Sequence, residues 1–350
     1  MPRRVLAPLA RPVLAFAGLI GLGLAVPALA QVLDLALPFF GLILLGFCCG
    51  RIFEAPEQGL QWMHLFVVYV ALPALFFNLI AVTPLDELAN VKFVAITTLA
   101  TMIAYFTSFG LGLFASKGHV GEATIQGVGG AYSNVGYMGP GLTLAALGTQ
   151  SAAPTALIFV CDSIFFFTIV PLLMGVAGAQ KTGLRDTAFL VVKRIVTHPF
   201  NIATALGIAA GYAHWQPPVA IGKILTLLQN SSAPVALFVM GVTVALRPLK
   251  RVSGEMPALI AIKLVAHPLL VWALLSAAGD FGRIWTFTAV LMASLPPALN
   301  VFVMASQYQV YVERASGLIL IGTICSVVTV TGLLFVIAFG TVPYNLFAIF

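Results

Sequence analysis

The chain has 350 residues, 61% hydrophobic and 8% charged, with a net charge of +6 and a mean hydropathy of +1.06. Soluble domains carry about 25% charged residues, so a soluble globular domain is excluded and the composition fits a protein embedded in a lipid bilayer. The positive balance does not point to nucleic acid, because Lys and Arg sit in short loops without a basic run interleaved with exposed aromatics.

Residues 1–30 read as a separate unit. Arg3, Arg4 and Arg11 precede an apolar stretch from Val13 to Leu24, and Ala28 and Ala30 give a small-x-small ending before Gln31. That pattern matches a secretory leader; a retained eleventh span and a start codon wrongly chosen upstream are the alternatives. Beyond it, apolar stretches at roughly 31–50, 62–82, 93–115, 123–148, 153–175, 195–214, 221–245, 256–279, 284–309 and 315–340 each approach the ~20 residues that cross the hydrocarbon. They lack the alternation of barrel strands. The expected fold is an all-α polytopic membrane protein with ten core transmembrane helices.

Loop charge sets the expected orientation. Arg51, Lys117, Lys181, Arg185, Lys193, Arg194, Arg247, Lys250, Arg251 and Arg314 share one side, against Lys92, Lys223 and Arg283 on the other. The richer side belongs in the cytoplasm, which puts both core termini outside a bacterial-type inner membrane. Trp62, Trp215 and Trp285 fall near span ends. Cys48, Cys49, Cys161 and Cys325 lie within spans without zinc-ligand spacing and read as small buried hydrophobes. The histidines are scattered, and no metal or cofactor is expected.

The chain also repeats itself. An offset of 161 pairs Pro38 with Pro199, Gly46 with Gly207, Gly50 with Gly211, Pro73 with Pro234 and Ser133 with Ser294. The halves are 31–180 and 181–350. Five spans in each half force opposite orientations, so the repeat is inverted. The fourth span of each half is interrupted: Gly136, Gly139 and Pro140 in the first, Pro296 and Pro297 in the second. Backbone opened inside a bilayer must be satisfied by protein or by a wet cavity, and paired broken helices point to a transporter's substrate site. The alternative is that the prolines only kink helices and the glycines only allow close packing.

At these motifs the chain resembles the auxin efflux carrier family, whose bacterial members include proteins described as malonate and malate transporters. Ser133-Asn134-Val135-Gly136-Tyr137-Met138-Gly139 is similar to that family's fourth-helix motif, although Pro140 follows Gly139 directly. Leu295 to Tyr308, with Pro296-Pro297, Asn300-Val301-Phe302-Val303 and Gln307-Tyr308, is similar to its ninth-helix motif. The resemblance implies ten helices, a scaffold and a transport domain, and elevator-type alternating access.

The expected function is secondary transport of a small organic anion, a carboxylate, with protons or sodium as the coupling ion. A homodimer is one assembly open to it. Asn134, Asn300, Ser133 and Ser294 are the candidate substrate donors, with Tyr137 and Gln307 as lesser ones, since free amides and a helix's positive end favour an anion. Asp162, too short to reach either interface, reads as a coupling site or as a carboxylate hydrogen-bonded to neighbouring helices through Ser163. Lys263 and His267 share a helix face; Lys263 either pairs with Asp162 or snorkels to the interface. A sodium-coupled carrier of a related fold is the rival reading. A membrane-embedded enzyme finds no Gly-x-Ser-x-Gly or His-Glu-x-x-His motif.

Overall fold

The computed structural model describes residues 27–53, 57–178, 195–246 and 252–347, with the isolated positions 189, 192 and 193. The leader expected over 1–30 falls outside these residues except for its last four, which open the first helix. Lys181, Arg185, Arg194, Arg247, Lys250 and Arg251 also fall outside. The described residues are nearly all helical, as expected of a polytopic membrane protein.

Helix α1 (Pro27–Phe53) lies along α8 (Val219–Leu246). A Cβ on Gly46 would stand 2.1 Å from the Phe238 carbonyl oxygen, and one on Gly241 would stand 2.0 Å from that of Ile43. The two backbones therefore touch, as small residues permit where lipid supplies no hydrophobic drive between helices. Helix α2 comprises Glu57–Phe66, a π-helical turn (Val67–Ala71) and Leu72–Ala81. It packs against α8 and α7 (Pro199–Tyr212), where Phe76 meets Phe200 edge to face with centroids 3.9 Å apart.

Helix α3 (Val91–Ala115) runs beside α4 (Val120–Ala131); α5 (Gly139–Leu147) and α6 (Ala152–Val176) follow. Helix α9 comprises Met256–Ala261, a second π-helical turn (Ile262–Ala266) and His267–Ala278. Both π-turns come just before a proline, Pro73 in one and Pro268 in the other. A proline ring clashes with the carbonyl one turn back, and widening that turn relieves the clash. Helices α10 (Gly282–Ser294), α11 (Asn300–Tyr308) and α12 (Val312–Ala338) complete the bundle.

Seven helical stretches among the described residues are long and apolar enough to cross a membrane: Ala36–Phe53, Gly59–Ala81, Leu85–Ala115, Thr149–Val176, Val219–Leu246, Met256–Ala278 and Val312–Ala338. The other three expected intervals hold α7 and two interrupted pairs, α4 with α5 and α10 with α11. Trp62 and Trp215 are exposed, while Trp285 turns inward onto Phe93 at 4.7 Å. All four cysteines are free and only half-buried, not buried as expected.

The corner between α11 and α12 is strained, with Gln309 and Tyr311 at φ 54° and 59°. Polar contacts hold it. The Tyr311 hydroxyl donates to Glu255 Oε1 at 2.6 Å, and Arg314 reaches Glu122 at 3.2 Å and Glu255 at 3.7 Å.

Candidate functional site

The two interruptions meet. Helix α4 ends at Tyr132, which turns extended (φ −73°, ψ 104°), and α10 ends at Leu295 (φ −60°, ψ 151°). Leu295 has a local reason, because a residue before proline is driven to extended geometry. Ser133 and Pro297 then form an antiparallel bridge. The Asn134 N–H donates to the Pro296 carbonyl at 2.9 Å, and the Ala298 N–H donates to the Tyr132 carbonyl at 2.9 Å. Each opened strand thus satisfies backbone groups of the other. Gly322 of α12 closes on this bridge: a Cβ there would sit 2.6 Å from Pro297 Cδ.

The helices resume differently. Helix α11 begins at Asn300, after only Ala298 and Leu299 beyond the proline pair. On the other strand, residues 135–138 form an extra turn before α5 begins at Gly139 with Pro140 in its first turn. A first-turn N–H has no partner within the helix in any case. Pro140 therefore starts a helix, whereas Pro296 and Pro297 lie between α10 and α11.

A cavity of about 180 Å³ opens beside the crossing. Five of the six expected donors line it: Ser133, Asn134, Tyr137, Asn300 and Gln307. Ser294 does not, since its hydroxyl donates back to the Leu291 carbonyl of its own helix at 2.8 Å. Asn300 Nδ2 donates to the Tyr132 hydroxyl at 3.3 Å, and Asn134 Nδ2 reaches Met240 Sδ of α8 at 3.0 Å. Tyr137 meets His64 Nδ1 of α2 at 3.2 Å, and His64 Nε2 lies 3.4 Å from the Thr243 hydroxyl of α8. Thr243 already donates to the Val239 carbonyl at 2.7 Å. Its oxygen therefore accepts from Nε2–H, and Tyr137 donates to Nδ1. Tyr132, Ser163 and His198 also line the cavity, and the sequence reading did not select them for it. The first two adjoin selected residues, but neither carries a motif of its own.

On the far side of Ser133 lies a second polar group, fully enclosed. Lys263 is 0% exposed and donates to the Ala293 carbonyl at the end of α10, a carbonyl that Ser133 Oγ also reaches at 3.3 Å. Snorkelling is thereby excluded. Lys263 Nζ also lies 3.4 Å from His267 Nδ1, His267 Nε2 lies 3.4 Å from the Thr101 hydroxyl, and Thr101 donates to Asp162 Oδ1 at 3.2 Å. Every donor in this row points the same way, from ammonium to carboxylate. Asp162 and Lys263 belong to one network without direct contact. The partner of Asp162 is Thr101, not Ser163, because adjacent residues on a helix face different directions. A pocket of about 10 Å³ between Ser133, Thr101, Asp162 and His267 has room for about one water molecule.

A family model described as Membrane transport protein matches residues 31–334. A protein of Rhizobium meliloti (strain 1021) named "Putative malonate transporter" is 46% identical over 319 residues, covering 91% of this chain and 100% of that protein. An uncharacterized transporter of Methanothermobacter thermautotrophicus is 24% identical over 294 residues, 82% of this chain and 92% of its own. Auxin efflux carrier component 3a of Oryza sativa subsp. japonica is 25% identical over 161 residues, 42% of this chain and 26% of its own. A chain of apolar helices that matches this family over most of its length belongs to it: the protein is a multi-pass membrane transporter of the family that includes the auxin efflux carriers.

Proposed function

We propose that the chain is a secondary active transporter that binds a small carboxylate at the helix crossing and carries it through the bacterial inner membrane by an elevator-type movement. The observation that carries this reading is the crossing cavity, where Asn300 opens α11 beside Ser133, Asn134, Tyr137 and Gln307. A helix start carries about half a positive charge, and carboxamide and hydroxyl donors add hydrogen bonds that are stronger to an anion than to a neutral group. Translocation breaks no covalent bond, so no nucleophile is required. The relative named as a malonate transporter supports a carboxylate substrate.

Packing supports the moving part. Helices α1, α2, α7 and α8 pack chiefly with one another, and α3 to α6 gather with α9 to α12 around the crossing. The contacts from Tyr137 to His64 and from Asn134 to Met240 would break as the second group slides past the first. The inverted repeat over 31–180 and 181–350 finds support in the same contacts. Gly46 and Gly50 of α1 press on α8, and their counterparts Gly207 and Gly211 of α7 press on α2. In this reading both core termini face outward, and Asp162 takes up the coupling proton at the end of the row from Lys263.

The test is flux of labelled malonate in proteoliposomes. Asn300→Ala should lower uptake at least about tenfold, the loss of a hydrogen bond to a charged group. Asp162→Asn should flatten the pH dependence of flux. Undiminished uptake by Asn300→Ala removes the crossing as the substrate site. An unchanged pH profile in Asp162→Asn removes the proton role, and sodium-dependent flux would then favour the rival reading.

A further inference from the structure

We propose that His198 is the residue that makes the cavity select a dicarboxylate over a monocarboxylate, by binding the second carboxylate of the substrate. The inference rests on the reading of the crossing cavity as the substrate site.

The cavity lining contains no Lys, Arg, Asp or Glu among the described residues, and His198 is its one side chain that becomes cationic by taking a proton. The amino end of α11 and the Asn300 amide suffice for one carboxylate. A second anionic group in the same enclosed space is costly unless it meets a donor of its own. His198 stands outside the crossing, just ahead of Pro199 at the start of α7, in extended geometry (φ −67°, ψ 124°). Its ring rests near Phe167 and Phe200, with centroids 5.7 and 6.5 Å away.

The ring's hydrogen bonding is incomplete in a particular way. Nδ1 is sealed from solvent without a hydrogen-bond partner, which leaves Nε2 as the ring nitrogen open to a ligand. Orphaned N–H groups are rarer than orphaned acceptors when buried, so the proton of the neutral ring belongs on Nε2, where it is available to donate. A carboxylate there would complete the hydrogen bonding of that edge. It would also join the substrate to α7, which packs chiefly with α2.

Competition of labelled malonate flux and direct binding titrations with malonate and with propionate test this in the full-length purified protein. The wild type should favour malonate over propionate by about tenfold or more, as one hydrogen bond to a charged group requires. His198→Phe, which keeps the ring's bulk, should bring the ratio to within about twofold by weakening malonate alone. His198→Gln, which keeps a neutral donor, should fall between. An unchanged ratio in His198→Phe, or equal binding of the two acids by the wild type, overturns the proposal. If Asn300→Ala binds both acids like the wild type, the reading of the cavity itself has failed; if it weakens both while His198→Phe keeps the ratio, only the role of His198 has.

Discussion

The two breaks at the crossing look alike in sequence and are built differently. The break after α10 is dictated locally, since Pro296 and Pro297 cannot donate and Leu295 must be extended. Its helix end is capped by a cation, with Lys263 on the Ala293 carbonyl, where the helix dipole is negative. The break after α4 contains no proline between Tyr132 and Met138. It is open because its neighbour holds it open, through the Pro296 carbonyl and the Ala298 N–H. One strand is self-breaking and the other is broken by its partner, so damage to the break after α10 should propagate to the break after α4 more readily than the reverse.

The largest expected effect comes from removing the cation. Lys263→Met leaves the Ala293 carbonyl without its donor and removes the cation at the head of the row that ends at the buried Asp162, and loss of one member of a buried charged set costs about 3–5 kcal/mol. Thermal unfolding of the purified protein measures it. Asp162→Asn in the same chain should recover part of the loss, because residues in one network do not act additively. The next effect separates the breaks directly. Gly322→Ala drives a methyl against the rigid Pro297 ring and should cost about 1–3 kcal/mol. Gly139→Ala meets the end of Met292, whose Sδ would lie 2.7 Å from the new carbon, and Met adapts, so the cost should stay below about 1 kcal/mol. Equal shifts in melting temperature would contradict the asymmetry.

A smaller effect is expected at Tyr137. Tyr137→Phe removes its bond to His64 and should cost about 0.5–1.5 kcal/mol, measurable by the same melts. The smallest lies at the α11–α12 corner. Burial alone would push the Glu255 carboxyl up, but the Tyr311 hydroxyl and the Arg314 charge hold it below its ordinary value. Such a group stabilises the fold above its unfolded titration point, and that contribution disappears as pH falls through the folded one. Tyr311→Phe should therefore lower stability modestly at neutral pH, and the difference from the wild type should vanish as pH falls through the Glu255 titration. Melting curves followed from neutral to acid pH check this.

Much of the fold was legible because lipid punishes exposed backbone, so long apolar runs leave few alternatives. The interruption at Pro296 and Pro297 was legible for a related reason, since a proline pair inside such a run has few uses. The role of Pro140 was not, because proline breaks a helix interior and begins a helix with equal ease. The burial of Lys263 was hidden too: its distance from the membrane face allowed a long side chain to escape, and only packing decides whether it does. Thr101 gives no sequence signal, being one hydroxyl among several on α3. Neither does His198, whose importance lies in what surrounds it.

The reciprocal hydrogen bonds between Asn134 and Pro296 and between Tyr132 and Ala298 have a consequence for how the chain comes to exist at all. Until α10 and α11 are made, the opened strand after α4 sits in the bilayer without its partner, an unpaid debt of polar atoms that translation alone can settle. A truncated amino-terminal half should therefore be a substrate for membrane quality control. The same half should be rescued when the carboxy-terminal half is supplied as a separate polypeptide.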